Sequence, residues 1–66
     1  MTVAKVVEIS AESRESFEDA IRQGIRRAAV SLENVRGAWV KEQKVRVEEG
    51  EIVAYRVHLQ VTFVLK

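Results

Sequence analysis

The last third of the chain carries an alternating pattern that is compatible with little except one long, half-buried strand. Every second residue there is apolar: Val53, Tyr55, Val57, Leu59, Val61, Phe63 and Leu65. The residues between them are mostly polar: Arg56, His58, Gln60 and Thr62. Because successive side chains of a strand point to opposite faces, the pattern predicts one apolar face and one polar face.

A hairpin should join this strand to the segment before it. Residues 35–48 also have strand propensity, and Glu49-Gly50 can form a two-residue turn in which glycine takes a positive φ. In a regular hairpin with that turn, Trp39 faces Gln60 and Lys41 faces His58 on the polar side. A three-residue loop would exchange the two faces.

The same regular register makes two further predictions. Ala38 and Val40 lie on the apolar face, under whatever covers it. Near the turn, four apolar residues gather on the opposite face: Val45, Val47, Ile52 and Ala54. That end of the hairpin would then need a cover of its own.

The first half of the chain predicts a strand followed by a helix. Val3 to Ile9 is rich in β-branched residues, which favour a strand. Apolar residues then recur at helical spacing, which predicts a helix from Arg14 to about Leu32. Ser13 is placed to cap its start, and Asn34 is a suitable stop.

Gly24 lies inside this predicted helix, where glycine costs about 1 kcal/mol relative to alanine. A close approach of the helix backbone to the sheet explains it, and contact with a ligand is the alternative. The elements together predict an α+β fold of order β-α-β-β. One helix packs on a three-stranded antiparallel sheet that wraps around it, in a single domain over residues 1–66.

The size of the chain predicts association between copies. A domain of 66 residues has a core that gives only marginal stability. Because the chain contains no cysteine and one histidine, a disulfide or a structural metal ion is a poor candidate for the source of additional stability. The predicted helix spans roughly 28 Å, against roughly 50 Å for the strand 51–65. The uncovered apolar strip indicates a protein interface, although a hairpin that curls around the helix would cover part of it.

Several function classes are disfavoured. The net charge is +1, the arginines of the helix stand among acidic residues, and no aromatic residues interleave them, so we expect no nucleic-acid binding. No apolar stretch approaches a membrane span and no signal peptide is evident, so we expect a cytoplasmic protein that binds no membrane. His58 has no serine or acid near it in sequence, and we expect no enzyme and no catalytic residue.

Four segments are distinctive in their order and spacing: Ser13-Arg14-Glu15-Ser16-Phe17, Asn34-Val35, Val40-Lys41-Glu42-Gln43, and Tyr55 through Phe63. Together they resemble the dodecins, a family of small flavin-binding cage proteins. The chain resembles dodecins over essentially its whole length. The resemblance implies a hollow homododecamer, with dimer and trimer contacts supplied by the long hairpin.

In flavin-binding dodecins, flavin rings stack between tryptophans at two-fold contacts, and a glutamine on the neighbouring strand hydrogen-bonds the ring. Gly37 stands here at the tryptophan position and Arg56 at the glutamine position, so the chain is more similar to members that lack the tryptophan. Trp39 lies about 6.6 Å further along the strand, on the same face, either as a displaced stacking surface or as interface packing. Arg56 pairs with a flavin phosphate, lies over a ring, or is solvated.

The resemblance therefore predicts a non-enzymatic dodecamer that sequesters riboflavin or FMN. The candidate cofactor-binding residues are Gly37, Trp39, Arg56 and His58. The alternative is a dodecin-like assembly without flavin that binds cations such as calcium, or another small molecule. Glu48, Glu49 and Glu51 offer oxygen ligands, but they form a solvated turn in the simpler interpretation, and we predict no metal site within one chain.

Overall fold

A computed structural model describes residues 2–65 of the chain. Its elements are β1 (Val3–Ser13), α1 (Phe17–Ser31), β2 (Val35–Glu48) and β3 (Glu51–Leu65), which confirms the predicted β-α-β-β order. The three strands form one antiparallel sheet in the order β1-β3-β2. The alternating C-terminal strand is thus the central strand, and the molecule is elongated, measuring 51 × 19 × 13 Å.

The core lies between α1 and the apolar face of the sheet. Val57, Leu59 and Val61 of β3 are fully buried, and they pack with Ala20 and Ala28 of the helix. The side chains packed around this cluster come from the other two strands, from the helix and from the residue after it: Val7, Ile9, Ala11, Phe17, Ile21, Ile25, Leu32, Val35 and Val40. The predicted apolar face of the last strand is therefore confirmed.

The helix backbone lies close to the sheet at Gly24. A Cβ atom built there would lie 3.2 Å from the Cβ of Ala11 and 3.2 Å from Cδ1 of Leu59. Those distances are too short for relaxed carbon contacts. The predicted close approach is confirmed, and glycine permits it.

The start of the helix differs from the prediction. β1 continues to Ser13, and α1 begins only at Phe17. Ser16, not Ser13, caps the helix, since its Oγ accepts a hydrogen bond from the backbone N–H of Asp19 at 3.0 Å. Ser13 is buried and donates to the Asp19 carboxylate at 2.6 Å instead. The pairing of β1 with β3 keeps Ser13 extended, which leaves the next serine to serve as the cap.

The end of the helix agrees with the prediction of about Leu32 to within one residue. α1 ends at Ser31 and Leu32 is its C-terminal cap. Asn34 does adopt a positive φ of 59°, but two residues after the cap, where it turns the chain into β2. The left-handed conformation that asparagine tolerates is therefore used in the connection rather than at the helix end.

The hairpin turn is the predicted two-residue loop, because Glu49 and Gly50 both have positive φ and Glu48 pairs with Glu51. The predicted pairing of Trp39 with Gln60 is also confirmed.

The predicted pairing of Lys41 with His58 is wrong. Lys41 is an extra residue in a bulge, so Glu42 faces His58. A second irregularity leaves Val53 as an extra residue on β3 and restores the register before the turn.

The two bulges also change which face the end of the hairpin presents. Val45 pairs with Tyr55, and the Tyr55 ring contacts the ring of Phe17 in α1 at a centroid distance of 5.1 Å. Val45, Val47 and Ile52 therefore lie on the helix side, where a regular register predicted the opposite face. Ala54 alone remains on that opposite face, paired with Arg46. We call Val45, Val47 and Ile52 the tip strip.

Candidate functional site on the polar sheet face

The sheet face opposite α1, here called the polar face, carries cross-strand rows of polar side chains. Each row takes one residue from β1, one from β3 and one from β2, in that order. The rows are Glu8–Gln60–Trp39, Ser10–His58–Glu42 and Glu12–Arg56–Lys44. The alternation of β3 supplies the middle of each row, so the pattern that builds the core also builds this surface.

Glu8 is the centre of a hydrogen-bond network on the polar face. One carboxylate oxygen accepts from Gln60 Nε2 at 3.0 Å and from Lys41 Nζ at 3.3 Å. The other lies 3.5 Å from Nε2 of His58. The hydrogen bond from Gln60, and then the Lys41 ammonium, lower the pKa of Glu8 to about 2. The carboxylate is therefore ionised at neutral pH.

His58 has a serine and a carboxylate beside it, although both are distant in sequence. Ser10 Oγ lies 3.1 Å from His58 Nδ1, and Glu8 is on the other side of the ring. Serine, histidine and carboxylate are the components of a nucleophilic triad. Lys41 already pairs with this carboxylate, and a group of such low pKa is a weak base. The trio therefore acts as a link between β1 and β3.

Arg56 belongs to a more basic region nearer the turn. Its guanidinium lies 3.0 Å from Glu12 Oε1, and Nε of Arg46 lies 3.8 Å from the same oxygen. A small cavity of about 120 Å³ opens beside it, lined by Ser10, Glu42, Lys44, Arg56 and His58. Arg56 is thus engaged by a carboxylate in this structure, while one edge of its surroundings remains open.

Trp39 lies on the edge strand β2, in the row next to that of His58, and is 62% exposed. Its neighbour Gly37 has open space where a side chain would be, with no atom within 4 Å of a built Cβ. Val6 is also exposed beside this region, in the row that contains Gly37. An indole with free space around it is a flat surface on which a planar ligand can stack.

The four predicted site residues share the polar face without meeting at one point. Gly37 pairs with Thr62, and Arg56 lies six residues along β3, which is roughly 20 Å away. Trp39 and His58 lie in the two successive rows between them. Gly37 and Arg56 could contact the same ligand ring only if two subunits contributed to one site.

Two residues of this face were missed by the sequence reasoning. Gln60 could have been identified from the sequence, because the predicted register already placed it opposite Trp39. Glu8 could not, because its contacts depend on the pairing of the first strand with the last.

Known proteins share both the sequence and the fold of this chain. The Dodecin family model matches residues 3–66, and the chain belongs to the dodecin family. The calcium dodecin of Mycobacterium tuberculosis is 35% identical over 66 residues, covering 100% of this chain and 93% of that protein.

Solved structures agree. A variant of the Thermus thermophilus dodecin superposes with a TM-score of 0.93 at 33% identity, covering 100% of this chain and 98% of that one. The Streptomyces davaonensis dodecin has a TM-score of 0.92 at 32% identity, with 98% and 96% covered. For the M. tuberculosis calcium dodecin, described as having a novel calcium-binding site, the TM-score is 0.82 at 37% identity, with 97% and 91% covered.

Two further properties bear on the function. Within residues 2–65, no helix has the length and apolar character that crossing a membrane requires. In the same part of the chain, no three acidic or histidine side chains come together in a way that could hold a metal ion. The cytoplasmic location stays a prediction.

Proposed function

We propose that this chain forms a homododecameric cage that binds and sequesters a flavin, riboflavin or FMN, at contacts between subunits and without catalysing a reaction. The exposed Trp39 on a mostly polar face is the observation that carries the proposal. An indole left in water exposes a large apolar area, and covering it with a flat aromatic ring recovers that hydrophobic contribution.

Gln60 supplies the polar part of the proposed site. Its amide lies directly across from Trp39, and it is already positioned by its hydrogen bond to Glu8. A flavin has an apolar face and a polar pyrimidine edge, so an aromatic surface beside an amide matches both. The pair is displaced along the sheet from Gly37 and Arg56, where the resemblance would place the tryptophan and glutamine.

The subunit contact follows from the shape of one chain. The polar face is flat and open, whereas ligand sites usually enclose most of a small ligand. A second copy placed over Trp39 closes the site, and it also brings basic groups such as Arg56 from another chain within reach of a ligand phosphate. Storage requires such enclosure, because it slows release of the ligand.

Two measurements test the proposal. Light scattering coupled to size-exclusion chromatography should give the mass of twelve copies, and a monomer would contradict the cage. Titration with riboflavin or FMN should quench both the flavin fluorescence and that of Trp39, the single tryptophan of the chain. Unquenched flavin in the presence of an intact dodecamer would contradict the flavin site.

Variants separate the two roles of Trp39. Trp39→Ala should leave the assembly intact and abolish flavin quenching, and Trp39→Phe should retain weaker binding because a smaller ring remains. Val30→Ala is the matched control, since Val30 is an apolar residue 78% exposed on the helix. If Trp39→Ala dissociates the assembly, Trp39 is interface packing.

The alternative function is a cage that holds cations such as calcium and no flavin. The relationship to a protein named calcium dodecin supports it. Because residues 2–65 of one chain contain no ready cluster of ligands, such a site needs carboxylates from several copies. Calorimetric titration of the purified assembly with calcium tests this, and replacing Glu49 with Gln should reduce the heat if the turn carboxylates take part.

A further inference from the structure

A groove of about 630 Å³ runs between α1 and the edge strand β1, on the helix side of the sheet. Residues 9–12 bound it on the strand side. Two rows of residues at a spacing of four follow its other side: Gly24, Ala28 and Leu32, and beside them Gln23, Arg27 and Ser31. The volume of the groove is in the range of small-molecule sites, which is about 300 to 1,000 Å³.

The floor of the groove is apolar. Ile9 and Ala11 lie two residues apart on β1 and pack against the core on the helix side of the sheet. Gly24 and Ala28 are buried and have little or no side chain, so the space between helix and strand stays open. An apolar group laid on this floor would leave water, which is favourable.

Arg27 places a positive charge at the rim of the groove. Among residues 2–65, no carboxylate lies within 4.0 Å of its guanidinium, whereas Arg22 and Arg56 each have such a partner. A guanidinium forms its strongest hydrogen bonds with carboxylates and phosphates. The groove therefore matches a ligand that has an apolar body and a carboxylate at one end.

Glu12 also lines the groove, but its charge belongs to the polar face. Side chains of a strand alternate between faces, so Ala11 lies on the helix side and Glu12 on the other. Oε1 of Glu12 lies 3.0 Å from the guanidinium of Arg56 and 3.8 Å from Nε of Arg46, and both cations offset its charge. Glu12 therefore contributes the edge of β1 to the groove and leaves Arg27 available to an anion.

The dimensions of the groove favour an extended ligand. Gln23 and Leu32 are nine residues apart, which corresponds to roughly 13 Å along a helix. A straight chain of ten carbons is roughly 12 Å long, because each bond of about 1.5 Å advances the chain by somewhat less than its length. The rim residues Gln23, Arg27 and Ser31 are exposed, so a ligand can enter from the side.

We infer that the α1–β1 groove binds a medium-chain fatty acid such as decanoate, with the acyl chain on the apolar floor and the carboxylate paired with Arg27. The site is formed within one chain and lies on the opposite side of the sheet from Trp39, so it is independent of the proposed flavin site. It is also separate from the tip strip, which lies beyond the contact of Tyr55 with Phe17 at the start of α1.

Isothermal titration calorimetry of the intact protein with decanoate tests the site. We expect saturable binding of one decanoate per chain. Decyltrimethylammonium carries an alkyl chain of the same length with the opposite charge, and it should bind about tenfold more weakly. No binding of decanoate, or equal binding of the two compounds, would overturn the inference.

Two variants test the role of Arg27. Arg27→Met keeps an apolar stem but removes the charge, and it should weaken decanoate binding about tenfold. Arg26→Met removes the same charge one residue away, outside the groove, and should leave the affinity unchanged. Light scattering should give both variants the mass of the unchanged protein. Equal losses of affinity would contradict the site, since net charge alone would then account for binding.

The fluorescence of Trp39 tests which face of the sheet the ligand occupies. Saturation with decanoate should leave the emission of this single tryptophan unchanged, because the indole lies on the polar face and the groove on the helix side. FMN should also titrate identically with and without decanoate. A shift of the emission together with weakened FMN binding would place decanoate on the polar face and refute the groove site.

Discussion

The two faces of the sheet are stabilised by different physical means. On the helix side, Val57, Leu59 and Val61 are fully buried and are held by packing alone. On the polar face, Glu8 and Lys41 are exposed and Gln60 is half-buried, and these side chains are held by hydrogen bonds and an ion pair at the surface. A side chain packed in a buried core adds about 2 to 5 kcal/mol to the free energy of unfolding, whereas an exposed ion pair adds about 1 kcal/mol or less. The helix side should therefore determine folding, which leaves the polar face free to bind.

The largest effect should come from the helix side. Leu59 has no exposed surface, so Leu59→Ala should lower the free energy of unfolding by about 3 kcal/mol through lost burial and a residual cavity. Urea unfolding at one fixed protein concentration measures it, because association adds to the apparent stability.

Val30→Ala is the control for that change, since 78% of Val30 is already exposed. Its effect should stay within about 0.5 kcal/mol. If the two variants unfolded at similar urea concentrations, the core under the helix would not be what holds the fold together.

A smaller effect should distinguish two glycines. Gly24→Ala gains helix propensity but places a Cβ 3.2 Å from the Ala11 Cβ, which the backbone of β1 holds in place. We expect a net loss of about 1 kcal/mol from this overpacking.

Gly37→Ala makes the same change on the open polar face and meets no atom within 4 Å. It should change stability by less than about 0.5 kcal/mol. A larger loss at Gly37 than at Gly24 would reverse the comparison of the two faces.

The pattern in the sequence predicted the two faces well, because alternation is a local property of β3. Trp39, Val40 and Gln60 lie where a regular hairpin places them. The predicted pairing failed between the bulges at Lys41 and Val53, although Glu48 and Glu51 pair as predicted. The faces beyond the bulges were predicted wrongly, because one extra residue in a strand exchanges the faces of the residues after it. Nothing in the residue types at Lys41 or Val53 marks a bulge.

The hydrogen-bond network of the polar face was beyond prediction for a different reason. It depends on the pairing of β1 with β3, which brings Glu8 next to Gln60 and Ser10 next to His58. The sequence predicted both strands but not their order or register. Without that register, His58 appeared solitary and Gln60 appeared to face Trp39 alone.

The smallest expected effect on stability comes from the protonation of Glu8. Its pKa in the folded protein, about 2, is below the ordinary value of 4.5, so the folded state binds this proton less readily than the unfolded state. The contribution of Glu8 to stability is therefore complete above the ordinary value and is lost as pH falls from about 4.5 to about 2. Since Glu8 is exposed, this loss should be modest.

The titration of the Glu8 side-chain carboxyl carbon by NMR tests which partner controls it. Gln60→Ala should raise the pKa of Glu8 the most, because the Gln60 hydrogen bond is the largest cause of the shift, and Lys41→Met should raise it less. Thr62→Ala, the next polar-face position on β3, should leave it unchanged. If Lys41→Met had the larger effect, charge rather than hydrogen bonding would position Glu8, and Gln60 would be freer to turn towards a ligand beside Trp39.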